Sequence, residues 1–451
     1  MTYESLSDAL QEALENNDRA ALPELVDEMN PADLADVIQD QEAEDLQAML
    51  LLAMPLDKRA ETFGYLPISL QQALAAELSA GALAALVTAM SADERADLFN
   101  AMDDTTQHTL FKHLAREERE DLRRLASYEE GTAGAVMTSD YAVVRVGMTV
   151  AQALDQLRKT APDKETIYQS FVVDEQHQLL GTISLREMIV SAPRVKVEDL
   201  MTRDLVSAHV GDAQEDVAKL ISRYDLLALP IVSEPDNKLV GIVTYDDAMD
   251  VAEAEATEDF LKSASVAKLE AGLGNASILE LYRSRVGWLV ALVFASIFTA
   301  TGIGFFEDTI AANQGLLLFM TLLVASAGNA GSQSSTLMVR SLATGDVQGN
   351  DWARLLGKEF LVSLSLGLTM AFAVSLVGVV MANMQITVVV AITMVVVVLM
   401  GSMLGMCMPL LLNKVKLDPA TASTPLVATI ADVVGVLLYF GIATALLGIA
   451  I

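Results

Sequence analysis

Long uncharged segments in the C-terminal half constrain the fold more than any other feature of the sequence. No charged side chain occurs in residues 287–306, 309–339 or 360–413, and residues 419–451 contain only Asp432. A membrane-spanning helix needs about 20 mostly apolar residues, so the longest segment must hold two spans separated by a turn near residues 381–386. The sequence therefore predicts five transmembrane helices, near residues 286–306, 314–338, 358–381, 387–412 and 424–449.

Charge is distributed very unevenly between the two halves of the chain. The formal net charge is -31, from 60 acidic and 29 basic residues, and nearly all of the excess lies before Val286. Such an excess disfavours nucleic acid as a partner. It fits an ordinary acidic soluble region, or clustered carboxylates that bind a hard cation such as magnesium or calcium. With one cysteine and four scattered histidines, the sequence lacks the ligands for a zinc or iron–sulfur site.

Basic residues near the spans predict the orientation of the membrane domain. With five alternating spans, all of them fall on one side: Arg283, Arg285, Arg340, Arg354, Lys358, Lys414 and Lys416. The positive-inside rule makes this side cytoplasmic, with the N-terminus inside and the C-terminus outside. The acidic N-terminus lacks a basic and then apolar leader, which predicts that there is no cleavable signal.

Two features within the spans indicate more than apolar packing. Asp432 lies inside the last span, where a carboxylate costs at least ~2.5 kcal/mol and normally faces a partner or a water-filled path. Residues 327–335 of the second span are small or polar and include two glycines. A buried protonated structural aspartate and small-residue helix packing are the alternatives. Together the two features favour a pore.

The soluble half has two predicted parts. Residues 1–128 show apolar residues at steps of three and four, which predicts an all-α, superhelical stack of helical hairpins. Residues 131–256 contain an α/β repeat, in which Gly134–Asp140 matches Glu198–Asp204 and residues 171–184 match 229–244. This repeat resembles a tandem pair of CBS domains, over 131–193 and 197–256. Such pairs are regulatory and often bind a nucleotide, so ATP is a possible ligand.

An acidic segment follows the repeat. On a helix, the carboxylates of Asp246, Asp250 and Glu253 share one face, and Glu255 precedes Glu258 and Asp259 with the same spacing. A solvated acidic face is the ordinary interpretation. Because the segment joins the repeat to the first span, a bridging cation is the alternative.

The whole chain resembles the MgtE family of magnesium channels. The matching motifs are Glu255–Asp259, Arg285–Trp288, Phe306-Glu307, Gly328–Gln333 with Thr336–Arg340, Asp418–Ala420 and Thr429–Asp432. The resemblance implies a homodimer in a bacterial inner membrane, with both subunits lining one pore. Asp432 would hold hydrated magnesium, and Gly328, Asn329 and Ala428 would complete the filter. Three local departures from the family pattern, at Ala327, Thr424 and Ala428, affect the expected gate.

The resemblance also implies magnesium-sensing residues in the cytoplasmic part. Transferred by position, they are Glu61, Asp93, Asp97, Glu215, Asp216, Asp225, Asp247, Asp250, Glu255, Glu258, Asp259 and Asp418. Bound magnesium would hold the acidic domains together and close the pore. Loss of the ion would free a linking (plug) helix, over residues 257–284, to move. The transmembrane pore domain would then occupy residues 285–451.

Other functions remain open at this stage. An intramembrane aspartyl protease needs two membrane carboxylates that share a proton, and only Asp432 lies well inside a span. A membrane-anchored sensor of magnesium or nucleotide would not transport at all. A channel for another divalent ion, such as manganese, cobalt or calcium, would have the same oxygen ligands. We predict no catalytic chemistry.

Overall fold

The structure of the chain is a computed structural model. It describes residues 6, 9–10, 12–14, 20–41, 43–267, 269, 276–344, 347, 352–422 and 424–448. These residues form two compact units, one ending at Glu255 and one beginning at Ala256. Each unit is described by itself below.

Short helices of seven to ten residues build the first part of unit one. They are α1 Leu22–Glu28, α2 Pro31–Gln39, α3 Glu44–Ala53, α4 Leu56–Gly64, α5 Ile68–Glu77, α6 Ala80–Ala89, α7 Ala92–Ala101, α8 Asp104–His113 and α9 Arg116–Leu125. Each helix contacts the helix two positions along the chain, so the helices form two interleaved rows. Fully buried Leu34, Ile38, Phe63 and Leu86 fill the space between the rows. The predicted superhelical all-α domain is confirmed.

Local signals set the ends of these helices. The side chain of Asn30 accepts a hydrogen bond from the Ala32 amide, and Pro31 takes the first helical position of α2. Asp103 accepts from the amides of Thr105 and Thr106 at the start of α8. Such caps satisfy amide groups that the first turn of a helix leaves unpaired, so short helices can follow each other closely.

Two three-stranded sheets with the same order follow. The first contains β1 Tyr141–Arg145, β2 Thr166–Val173 and β3 Leu179–Ser184, and the second contains β4 Ala208–His209, β5 Ala228–Val232 and β6 Leu239–Thr244. In each sheet the first pair of strands is parallel and the second pair is antiparallel. The accompanying helices are α10 Val150–Thr160, α11 Leu185–Val190, α12 Val197–Leu200 and α13 Gln214–Tyr224. The internal repeat and the α/β CBS pair are therefore confirmed.

The two copies of the repeat pack against each other. Phe171 and Val173 of the first sheet share a buried cluster with Val232 and Ile242 of the second. The repeated glycine inside the last strand of the first sheet has a packing reason, since a Cβ at Gly181 would lie 2.9 Å from the carbonyl oxygen of Thr202. Only glycine allows this close backbone approach.

Helix α14, Tyr245–Ser263, carries the acidic segment and ends earlier than the predicted linking helix. Ser265 is left-handed, with φ of 60°, and the Val266 amide donates to the carbonyl of Leu261 at 2.9 Å. This is the geometry of a Schellman helix end. A single helix over 257–284 is therefore wrong in the described residues, because 264–267 are not helical. Residues 268 and 270–275 of that prediction lie outside the described part.

Unit two contains five helices long and apolar enough to cross a membrane, counted over the described residues. They are α15 Ile278–Phe305, α17 Gly315–Ala343, α18 Trp352–Met381, α19 Met384–Lys414 and α20 Thr424–Leu447, with a short α16 Glu307–Ala312 after the first. The five-helix prediction is confirmed. Helix α15 starts eight residues before the expected 286, where Ser277 caps it by accepting from the Glu280 amide.

Small residues bring α17 and α19 together at the centre of this unit. A Cβ at Gly401 would collide with the backbone of Ala327, and one at Gly405 would collide with the backbone of Gly331. The predicted turn inside the longest uncharged segment is also present, since α18 ends at Met381 and Asn383 caps α19. Close backbone contact of this kind drives helix association where no water is available.

Candidate functional site

Helices α17 and α20 place three of the four predicted pore residues next to each other. A Cβ at Gly328 would lie 3.5 Å from the Cβ of Ala428 and 3.7 Å from Oδ1 of Asp432. Ala428 and Asp432 are one turn apart on α20, so both reach the same point of α17. Asp432 and Ala428 are partly buried, Gly328 is buried, and the neighbouring Asn329 is exposed on this chain.

Serine side chains extend this contact between helices. The hydroxyl of Ser335 donates to the carbonyl of Ala422 at 2.9 Å, and Ser332 donates to the carbonyl of Thr424 at 3.5 Å. Both acceptors lie where the chain enters α20. The small polar residues of α17 therefore hold the start of the helix that carries Asp432.

A second carboxylate, which sequence reasoning did not select, lies inside unit two. Glu359 of α18 is only 9% exposed, and the hydroxyl of Ser334 donates a hydrogen bond to its Oε1. The sequence signal was an acidic residue two turns into a long apolar helix. A carboxylate at that depth marks a partner or a functional position.

Two predicted sensing residues meet at a lysine near the entrance to α20. The ammonium of Lys262 donates to Oδ2 of Asp418 at 2.7 Å and forms a second ion pair with Glu258, one turn earlier on α14. The other oxygen of Asp418, Oδ1, accepts from the Ala420 amide at 2.8 Å. Asp259, next to Glu258, is partly buried.

Five further predicted sensing residues converge in unit one. They come from α4, α7 and the start of α14: Glu61, Asp93, Asp97, Asp247 and Asp250. Burial and the surrounding carboxylates, among them Glu61 and Asp250, raise the pKa of the Tyr65 hydroxyl. Asp97 lies near Asp93 on the same helix, and burial together with nearby Glu130 raises the pKa of Asp97 to about 6.

The carboxyl groups of this cluster have raised pKa values, chiefly because they are buried and also because they lie close to one another. Burial raises the pKa of both Asp93 and Asp247, and each carboxylate is close to other acidic groups. Burial also raises the pKa of Glu165 to about 8, with a further contribution from Asp93 and Asp247. Burial and nearby like charges both favour the neutral form of a carboxyl group, which accounts for the raised pKa values.

Sequence reasoning missed Glu94 and Glu165 in this cluster. The carboxylate of Glu94 packs so closely on Gly64 that any Cβ there would overlap it. Burial raises the pKa of Glu94 as well. Glu94 directly follows the predicted Asp93 in the first turn of α7, which was an available signal. No sequence signal pointed to Glu165, which directly precedes strand β2.

The remaining predicted residues lie around α13. Glu215 pairs with Lys219 at 2.6 Å, and Glu255 accepts from the amide nitrogen of the Gln214 side chain at 2.7 Å. Asp216 is exposed, and Asp225 ends the helix in a left-handed conformation with φ of 51°. Glu255 is thus held at the start of α13 by Gln214, the residue before Glu215, while Asp216 lies in the first turn of this helix and Asp225 at its end.

No group of three or more acidic, histidine or cysteine side chains in the described part of the chain is arranged to hold a metal ion by itself.

Family comparisons cover most of the chain. The model of MgtE, a divalent cation transporter family, matches residues 320–442. The model of the MgtE intracellular N domain matches residues 29–131, and that of the CBS domain matches residues 133–192 and 197–254.

Similar curated proteins extend over the full length. The magnesium transporter MgtE of Thermus thermophilus is 39% identical over 98% of this chain and 99% of its own. The magnesium transporter MgtE of Bacillus subtilis is 32% identical over 99% and 98%, respectively.

Two solved structures each resemble just over half of the chain. The soluble part of a magnesium transporter matches with a TM-score of 0.52 at 32% identity, over 56% of this chain and all of that one. The cytosolic domain of the Mg²⁺ channel MgtE in complex with ATP matches with a TM-score of 0.53 at 38% identity, over 54% and 99%.

Proposed function

The chain belongs to the MgtE family of divalent cation transporters, and we propose that it is a magnesium channel closed by magnesium on its cytoplasmic side. The observation that carries the proposal is the contact of Gly328 with Ala428 and Asp432. It combines the single aspartate inside α20 with the glycine-rich part of α17. The close relatives named as magnesium transporters support magnesium as the ion.

Asp432 has the chemistry of a filter for a hydrated ion. One chain provides one carboxylate, and a homodimer would provide two across a common axis. A paired carboxylate ring attracts a divalent cation, and backbone carbonyls near Gly328 and Ala428, with Asn329, would bind its water shell. We assign these residues to permeation and no residue to catalysis.

The acidic cytoplasmic residues would form the sensor. The proposed arrangement is an N-terminal domain over 1–128, a CBS pair over 131–256, a linking segment over 257–284 and a pore domain over 285–451. Carboxylates with raised pKa values, such as Asp93 and Asp247, repel each other without a cation. Magnesium would neutralise them, favour the compact arrangement and shift the channel towards its closed state.

Nucleotide and membrane placement complete the proposal. ATP in the similar cytosolic domain supports an adenine nucleotide at the CBS pair of this chain. The basic residues near the span ends support a bacterial inner membrane with the N-terminus in the cytoplasm and the C-terminus in the periplasm. They include Arg285, Arg340 and Lys414.

Flux measurements test the proposal. The purified chain is reconstituted in liposomes, and magnesium influx is followed with low or high magnesium on the cytoplasmic face. We expect flux in the parent, loss in Asp432→Asn, and unchanged flux in the control Asp308→Asn, an exposed carboxylate on α16.

Three outcomes distinguish the alternatives. A parent that does not conduct supports a membrane-anchored sensor without transport. Manganese or cobalt flux above magnesium flux in a competition assay supports a channel for another divalent ion. Flux that high cytoplasmic magnesium does not reduce supports transport and contradicts the proposed sensor.

A further inference from the structure

Lys262 forms ion pairs with two carboxylates that are proposed to bind magnesium. Its ammonium nitrogen is 2.7 Å from Oδ2 of Asp418 and also contacts Oε1 of Glu258. The three side chains are 35–40% exposed, so an ion from solvent can reach them. The ammonium group of Lys262 therefore occupies the position between Glu258 and Asp418 where a metal cation would bind.

Asp418 connects this place to the proposed pore. Its second oxygen caps the short 3₁₀ turn Pro419–Thr421 by accepting from the Ala420 amide. Helix α20, which carries Asp432, begins at Thr424, three residues after this turn. Whatever binds Asp418 therefore acts on the entrance to α20, while Glu258 and Lys262 belong to the end of α14.

Resting on the proposed function, we propose that Lys262 competes with magnesium for Glu258 and Asp418. In this way it sets the magnesium concentration at which the channel closes. One ammonium and one divalent ion do not share the same two carboxylates, because their charges repel at contact distance. Magnesium must therefore displace Lys262, and the lost ion pairs weaken its apparent binding.

The same geometry explains why two acidic residues remain close without a bound ion. Lys262 neutralises one of the two negative charges and bridges α14 to the segment before α20. Without the lysine the carboxylates would repel each other more strongly and attract a divalent ion more strongly. Two partly exposed ion pairs of typical strength correspond to about a three- to tenfold change in the magnesium concentration at half-maximal binding.

Lys262→Met tests the competition, because methionine keeps an unbranched apolar chain and removes the charge. In the liposome assay we expect half-inhibition of flux at a magnesium concentration about three- to tenfold lower than in the parent. Lys262→Arg keeps the charge and should stay near the parent. Lys159→Met is the matched control, since Lys159 pairs with Asp155 at 2.7 Å across one turn of α10.

A binding measurement separates this proposal from the proposed gating. Trp288 lines the same cavity as Lys262, so its fluorescence in a Trp352→Phe background reports magnesium binding nearby. A lower midpoint in Lys262→Met supports competition even if flux is not inhibited by magnesium, which would contradict only the gating. An unchanged or higher midpoint in both assays overturns the role of Lys262.

Discussion

The hydroxyl of Ser334 donates a hydrogen bond to the buried carboxylate of Glu359 and joins α17 to α18 inside the membrane unit. Ser334 lies between Ser332 and Ser335, which hold the entrance to α20. The pair therefore fixes the rotation of α17 relative to the proposed pore. A buried carboxylate that loses its donor destabilises a protein by about 1–3 kcal/mol.

We expect Ser334→Ala to lower the thermal midpoint of the purified chain and Glu359→Gln to lower it less. In the double variant, the effects should couple by at least about 0.5 kcal/mol. Thermal unfolding in detergent provides the measurement, and Ser375→Ala, a serine that bonds within its own helix, is the control. Additive effects of the two substitutions would show that the contact does not stabilise the fold.

Gly328 provides a steric test of the proposed pore. A Cβ at this position meets Ala428 and Asp432 at ordinary van der Waals distance, so Gly328→Ala fits and Gly328→Val projects into the space beside the carboxylate. We expect magnesium flux to fall at least about tenfold in the valine variant, since a blocked path stops permeation. Gly441→Val on α20, the helix of Asp432, is the control, because a Cβ there meets no atom within 4 Å. Equal flux in the two valine variants would place the path elsewhere.

Gly405 tests the packing of the membrane unit rather than its conduction. Any Cβ at this position overlaps the carbonyl of Gly331, and backbone atoms cannot move aside as a flexible side chain can. We expect Gly405→Ala to destabilise the unit by about 1–3 kcal/mol, as overpacking in a core does. Chemical denaturation in detergent measures the loss, with Gly441→Ala as the comparison. A stable Gly405→Ala would indicate that α17 and α19 separate easily.

The sequence predicts most of the architecture because its strongest signals are local. Uncharged length predicts the five membrane helices, and the matched motifs around Gly134 and Glu198 predict the repeated sheets. Asp432 stands out because a carboxylate inside an apolar segment is costly. The end of α14 escaped prediction because Ser265 adopts a left-handed conformation without the glycine that usually signals it.

Tertiary contacts account for the residues that the sequence did not indicate. Lys262 and Asp418 are 156 positions apart, and neither residue type suggests the other. Glu359 accepts a hydrogen bond from Ser334 on a different helix, and Glu165 joins the acidic cluster from the residue before strand β2. Such sites depend on how the helices and sheets pack, which periodicity and spacing do not specify.

The acidic cluster of unit one predicts a stability that falls as the pH rises. Burial raises the pKa of Asp93, Asp247 and Glu165 in the folded chain, so the folded state keeps protons that the unfolded chain releases near pH 4. The stabilisation is complete below about pH 4, falls as the pH rises above that value, and is fully lost once the pH passes the raised pKa values, which lie between about 6 and 8. Magnesium would replace the protons and remove the dependence.

Hydrogen exchange of α7 and α14 in the full-length chain measures this effect. After correction for intrinsic exchange, we expect protection without magnesium to fall at least about tenfold from pH 6 to pH 8, since each pKa unit of linkage corresponds to a factor of ten. Millimolar magnesium should restore it, and Asp247→Asn should weaken the pH dependence. Helix α2, Pro31–Gln39, lies outside the cluster and is the internal control. Protection in α7 and α14 that rises with pH, or that changes as it does in α2, would contradict a cluster of repelling carboxylates.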